Sequence, residues 1–84
     1  MKVDTVITLA NGKNYLLLLE DDYMEEDYFL SVLLDKNNEP TDEYIVLKEI
    51  EKDGKTFVKK ETDVLILNQL LEDYKIQYQD DYEN

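Results

Sequence analysis

Two short turn motifs constrain the fold of this chain more than any other feature of its sequence. The dipeptides Asn11-Gly12 and Asp53-Gly54 each separate two segments that have the sequence pattern of β-strands. Both dipeptides tolerate the positive φ angles that a tight hairpin turn such as type I′ requires. Each motif therefore predicts a β-hairpin, and consecutive hairpins predict an antiparallel meander.

Five segments have the alternating pattern, or the β-branched and aromatic residues, that are typical of strands. The predicted strands cover residues 3–9, 14–20, 28–34, 43–50 and 55–61. From Thr62 the apolar spacing changes to three and four, which predicts a helix over about residues 63–78. Thr62 is the expected cap of that helix, and its wide apolar stripe must pack on the open face of the sheet.

The predicted fold class is therefore α+β, an antiparallel β-meander of about five strands packed against one C-terminal α-helix. We expect a single domain over residues 1–84. The last residues, 79–84, are expected to fray.

Several residue types that catalysis often needs are missing. The chain has no His, Cys, Trp or Arg, so disulfides, zinc–thiolate sites, thiol chemistry and a histidine base are excluded. Paired carboxylates are the acid–base device that remains, and a chain of 84 residues leaves little room for the cleft such a pair needs. We therefore predict that the protein is not an enzyme and has no catalytic residue.

Calcium is the metal that an acidic chain would suit best, because hard cations prefer oxygen ligands. The segment from Asp35 begins like a calcium-binding loop, but its sixth position is Pro40 rather than Gly and its twelfth is Val46 rather than Glu. The acidic stretch at residues 20–27 has no Gly for a sharp wrap. We therefore predict no specific metal site and no cofactor, beside weak non-specific binding of divalent ions.

The net charge of −12 limits the possible partners. Phosphate backbones and anionic membranes repel such a surface, so we expect no direct binding to nucleic acid or membrane. The longest apolar run, residues 15–19, is too short to span a membrane, and no signal peptide is recognisable. We expect a soluble cytoplasmic protein, a monomer or weak homodimer, whose partner presents a basic protein surface.

Residues 20–27, EDDYMEED, place six carboxylates in eight positions. We predict that they form a loop between the second and third strands, with an exposed Tyr23 as an anchor and carboxylates that steer toward a basic partner. The end of the helix is also acidic, against the preference of the helix dipole. The predicted partner-binding residues are Glu20, Asp21, Asp22, Tyr23, Glu25, Glu26, Asp27, Asp80, Asp81 and Tyr82. The alternative is that these charges are solvated turns and helix-end residues.

Several short motifs are similar to those of the YrzB-like family of small acidic bacterial proteins. They are Ile7-Thr8-Leu9, Gly12-Lys13-x-Tyr15, Asp27-Tyr28-Phe29-Leu30, Gly54-Lys55-x-Phe57-Val58 and the acid-rich ending. The resemblance spans most of the chain and implies no activity, cofactor or site residue, because none is established for that family. In size, acidity and tyrosine content the chain also resembles phage inhibitors that mimic DNA, such as uracil-DNA glycosylase inhibitors, anti-restriction proteins and anti-CRISPR proteins, with which it shares no motif.

These observations predict a non-enzymatic acidic module that docks on a basic surface of a partner. Its most concrete form is a nucleic-acid mimic that inhibits a DNA- or RNA-binding enzyme, with carboxylates in place of phosphates. A mimic requires ordered carboxylates on one convex face at phosphate-like separations, whereas a solvated loop leaves them scattered. The alternative function is a host-encoded acidic accessory protein whose charge serves solubility.

Overall fold

Five strands and one helix make up the protein. The computed structural model describes the backbone of residues 1–83 and the side chains of residues 1–76. The elements are β1 (Val6–Thr8), β2 (Asn14–Tyr23), β3 (Glu26–Leu34), β4 (Pro40–Lys52), β5 (Lys55–Lys60) and α1 (Val64–Glu83). The strands form one sheet in the order β1-β2-β3-β4-β5, and each pairs antiparallel with the next. The predicted α+β meander is confirmed.

Both predicted hairpins form, but their turns differ. Asp53 and Gly54 have φ angles of 54° and 76° and make the two-residue turn between β4 and β5. In the first hairpin the Gly12 amide donates a hydrogen bond to the Leu9 carbonyl oxygen at 2.9 Å. Gly12 has a φ of 82°, whereas Asn11 keeps a negative φ. This longer turn replaces the predicted type I′ turn, in which both central residues have positive φ.

Residues 20–27 form a β-hairpin, so the predicted loop between the second and third strands is wrong. β2 ends at Tyr23 and β3 begins at Glu26. Met24 and Glu25, between the two strands, form a two-residue turn with φ angles of 52° and 67°. The strands extend this far because Tyr23 and Tyr28 pack together beneath α1. Met and Glu seldom adopt positive φ, so the turn lacks the sequence signal that glycine provides.

β1 and β4 differ in length from their predictions. β1 is shorter than residues 3–9 because Asp4 adopts a φ of 66° and interrupts the extended backbone. β4 begins three residues earlier than predicted, at Pro40, which pairs with Leu34 of β3 across an irregularity in register. The segment before β1 remains attached to the sheet, since the Asp4 amide donates a hydrogen bond to the Leu17 carbonyl oxygen at 2.7 Å.

The helix begins and ends later than predicted. Its cap is Asp63 rather than Thr62, because the Asp63 Oδ1 atom accepts hydrogen bonds from two amides of the first turn at 2.9 and 3.4 Å. The helix continues to Glu83, so the segment that we expect to fray from residue 79 is helical as far as that residue.

The sheet carries a hydrophobic core on each face. The face that contacts α1, called here the helix face, has a core of Tyr28, Val46, Leu70 and Tyr74. The opposite face, called the N-terminal face, has a core of Leu17, Phe29 and Leu47 that the N-terminal residues Val3, Ile7 and Leu9 cover. Two covered faces explain why β3 is apolar on both of its sides.

A β-bulge in β2 decides which of its side chains point to each face. The register between β2 and β3 skips Leu18, which is therefore an extra residue. Because side chains alternate along a strand, one extra residue reverses the facing of every residue after it. Glu20 and Asp22 consequently share the N-terminal face with Leu17.

Candidate functional site

An acidic notch lies at the end of the sheet that carries the β2–β3 and β4–β5 turns. Its volume is about 450 Å³. The residues that line it are Asp22, Glu25, Asp27, Glu49, Glu51 and Thr56. Glu20 lies beside it, since carboxylate oxygens of Glu20, Asp22 and Asp27 all lie within 4.8 Å of one another. The notch thus brings carboxylates of three strands to one place.

The register of the strands explains this cluster. Asp22 of β2 lies opposite Asp27 of β3, and Asp27 lies opposite Glu49 of β4. Neighbouring strands are about 4.8 Å apart, and alternate residues along one strand are about 6.6 Å apart. Glu20 and Asp22 on β2, and Glu49 and Glu51 on β4, therefore form two rows that flank Asp27.

Crowding changes the ionisation of Asp27. Its carboxyl group hydrogen-bonds to that of Asp22, and this contact, followed by burial and by the charges of neighbouring carboxylates, raises the pKa of Asp27 to about 6. Ionised carboxylates only accept hydrogen bonds, so the contact between Asp22 and Asp27 requires a proton. The notch therefore gains negative charge as the pH rises from 5 to 7.

A positive charge of the chain itself lies at the wall of the notch. The N-terminal ammonium of Met1 is 2.9 Å from the Glu49 Oε1 atom, and the two side chains are only 12% and 19% exposed. Water screens this ion pair less than the exposed pair between Lys75 and Glu72, whose atoms are 3.9 Å apart. One carboxylate of the notch thus already binds a primary ammonium.

Three carboxylates offer oxygens to a hard cation. They are those of Glu20, Asp22 and Asp27. Calcium takes about six to eight oxygen ligands, and Glu20 and Asp22 are exposed, so water would supply most of the coordination. The absence of a specific metal site stays a prediction.

Four of the predicted partner-binding residues lie at the notch. They are Glu20, Asp22, Glu25 and Asp27. Three other residues that line the notch, Glu49, Glu51 and Thr56, are not among the predicted partner-binding residues. Alternation along the fourth strand places Glu49 and Glu51 on one face, but their approach to Asp27 depends on the register between β3 and β4.

Three predicted residues point to the helix face instead. Tyr23 is half-buried against the helix-face core, so it is not the exposed anchor that the sequence predicts. Glu26 lies 3.9 Å from the Lys48 ammonium. Asp21 lies beneath α1, in contact with Asp73. The bulge in β2 and the alternation of strand residues account for this division.

The other predicted residues, Asp80, Asp81 and Tyr82, lie in the part of α1 whose side chains are outside the described residues. Within the described chain, no helix is both long enough and apolar enough to cross a membrane. No protein-family model, curated protein or solved structure matches this chain. The similarity to the YrzB-like proteins therefore stays a prediction.

Proposed function

We propose that the protein is a non-enzymatic binding module whose acidic notch docks on a basic surface of a partner protein. In its most concrete form the module mimics a nucleic acid and inhibits a DNA- or RNA-binding enzyme in the cytoplasm of a bacterium. The observation that carries the proposal is the order of the carboxylates, five of which extend from one face of β2, β3 and β4.

Regular spacing of the carboxylates supports mimicry. Alternate residues on a strand are about 6.6 Å apart, which is similar to the separation of successive phosphates on a nucleic-acid strand. Glu20 with Asp22, and Glu49 with Glu51, each form such a pair. The surface is a notch and not the convex ridge that we expect of a mimic, so it favours a partner that inserts basic side chains.

Repulsion within the notch gives a basic partner a source of binding free energy. Like charges directly opposite each other in an antiparallel pair destabilise it by about 0.2–1 kcal/mol, and Asp22 faces Asp27 in this way. A lysine or arginine side chain in the notch replaces that repulsion by attraction. The ammonium of Met1 has this effect on Glu49 at one wall.

Capture experiments with two variants test the proposal. The notch variant combines Asp22→Asn, Glu25→Gln and Glu51→Gln, all at exposed positions. The control variant combines three exposed substitutions outside the notch and changes the net charge by the same amount: Glu39→Gln, Asp42→Asn and Glu43→Gln. Each protein is immobilised, incubated with a bacterial lysate, and washed with about 50 mM and then about 500 mM salt.

We expect the unmodified protein and the control variant to retain the same nucleic-acid enzyme, and the notch variant to lose it. Competing duplex DNA should release the captured enzyme, because both ligands would occupy one phosphate-binding groove. Equal retention by all three proteins would contradict docking through the notch. If no protein is retained in a salt-sensitive way, the acidity serves solubility and the accessory function replaces the mimic.

A further inference from the structure

A second carboxyl pair lies on the helix face, where α1 meets β2. The carboxyl group of Asp21 on β2 contacts that of Asp73 on α1. Tyr74 on α1 is 3% exposed, and its hydroxyl lies close enough to feel the charges of both. Among the described residues, the buried Asp21 Oδ2 atom and the Tyr74 hydroxyl have no hydrogen-bond partner.

Unpaired buried polar atoms are rare, because the loss of their hydrogen bonds to water is not compensated in the folded protein. Two ionised carboxylates cannot satisfy each other, since both only accept hydrogen bonds. One proton changes this, because a protonated carboxyl group donates to its neighbour. The Gln69 side-chain amide already donates to the Asp73 Oδ1 atom at 3.3 Å, so it holds the Asp73 side chain from the other side.

We propose that a single proton shared between Asp21 and Asp73 fastens α1 to the sheet, and that its loss between mildly acidic and neutral pH loosens the helix. The proposal does not depend on the proposed function, because the pair lies on the helix face and the notch lies on the N-terminal face.

The surroundings of Asp21 favour the bound proton. Burial, and next the contact with Asp73, raise the pKa of Asp21 to about 6. Burial and the charge of Asp21 also raise the pKa of Tyr74 above its ordinary value, so this hydroxyl stays neutral. The titratable groups on the helix face around the pair are Tyr23 on β2, Glu26 and Tyr28 on β3, Lys48 on β4, Glu61 after β5 and Tyr74 on α1. The cation of this group, Lys48, lies two strands from Asp21 and 3.9 Å from Glu26. The charges that act on Asp21 are those of Asp73 and Asp22, and both disfavour its ionisation.

The proton matters to the helix because the pair lies at the helix–sheet contact. Leu70 and Tyr74 are buried against Tyr28 and Val46 in the same core. Once both carboxyl groups ionise, their repulsion acts between β2 and α1 and favours separation of the two elements. The sheet is held by its own hydrogen bonds, so the effect is local to α1.

Hydrogen exchange of the backbone amides, followed by NMR, tests the proposal. We compare the protection factors of α1 over residues 66–76 with those of β3 and β4. From pH 5 to pH 7.5 the ratio of the α1 protection factors to those of β3 and β4 should fall about threefold. Without screening by water, loss of the proton would lower this ratio about tenfold, and with complete screening the ratio would not change. In Asp21→Asn the ratio should not depend on pH, because the amide donates to Asp73 at either pH.

Asp27→Asn is the matched control, because it removes the other carboxyl pair on the opposite face and should leave the pH dependence of α1 unchanged. A constant ratio in the unmodified protein, or an unchanged pH dependence in Asp21→Asn, would overturn the proposal. If Asp21→Asn does not fold, the proposal is tested by an NMR pH titration of the side-chain carboxyl carbons in the unmodified protein. Titration of Asp21 near pH 6 supports the shared proton, and titration of Asp21 near its ordinary pKa of 3.8 refutes it.

Discussion

The folded protein should be more stable at pH 5 than at pH 7.5. Asp21 and Asp27 each have a pKa raised from 3.8 to about 6, Asp21 mainly by burial and Asp27 mainly by its hydrogen bond to Asp22. Because each pKa is higher in the folded than in the unfolded chain, the added stability is complete below about pH 4 and is lost as the pH rises through about 6. The direction is opposite to ordinary acid denaturation, in which paired carboxylates lose their partners.

The two raised pKa values set the size of this effect. Without screening, each carboxyl group would stabilise the folded state by roughly 1.4 kcal/mol more at pH 5 than at pH 7.5. Both groups are partly exposed, so water reduces each contribution to about half, or about 1.5 kcal/mol for the two. For a domain of this size we expect a Tm that is about 6–12 °C higher at pH 5.

Urea unfolding followed by far-ultraviolet circular dichroism measures this difference. The double variant Asp21→Asn with Asp27→Asn should lose the pH dependence and should be more stable than the unmodified protein at pH 7.5. The control pair Asp42→Asn with Glu43→Gln, at exposed positions, should keep the pH dependence. Equal or greater stability of the unmodified protein at pH 7.5 would show that the carboxyl pairs do not hold protons in the folded state.

Two further changes test the architecture. Phe29→Ala removes a side chain with 0% exposure from the core of the N-terminal face, so we expect a loss of about 3–5 kcal/mol in the free energy of unfolding, measured in urea. Asp63→Ala removes the acceptor of two amides at the start of α1, so we expect a loss of about 1 kcal/mol. Asp63→Ser should lose much less free energy of unfolding than Asp63→Ala, because a Ser hydroxyl also accepts hydrogen bonds from these amides. If Asp63 acted only through its charge, the two variants would be equally destabilised.

Most of the fold follows from local sequence signals. The turns at Gly12 and Gly54 contain residues that tolerate positive φ, and the alternation on either side of them has the period of a strand. The turn at Met24 and Glu25 escapes prediction because both residues are unusual at positive φ. Its formation depends instead on the packing of Tyr23 and Tyr28 against the core that contains Leu70 and Tyr74 of α1. These contacts join the hairpin to residues that are far away in the sequence.

The notch is less predictable than the fold, because its residues meet only through register. Strict alternation from Leu17 would place Asp21, and not Glu20 and Asp22, on the N-terminal face. The extra residue Leu18 reverses this arrangement, and a bulge of that kind has no sequence signature here. Composition indicates that the acidic stretch at residues 20–27 is a candidate binding region. It does not show which of these carboxylates lie on the helix face and which lie on the N-terminal face.

One hairpin thus carries like charges on both of its faces, and the two faces relieve the repulsion in different ways. On the helix face Asp21 lies under α1 and contacts Asp73, so a proton is the cation that reaches it most readily. On the N-terminal face the carboxylates line an open notch of about 450 Å³, which admits larger cations, as the Met1 ammonium on Glu49 illustrates. Solubility alone would be served by charges spread apart over the surface, where they would not destabilise the fold. The concentration of charge at the end of this hairpin therefore supports the proposed cationic partner over the alternative that the acidity serves solubility.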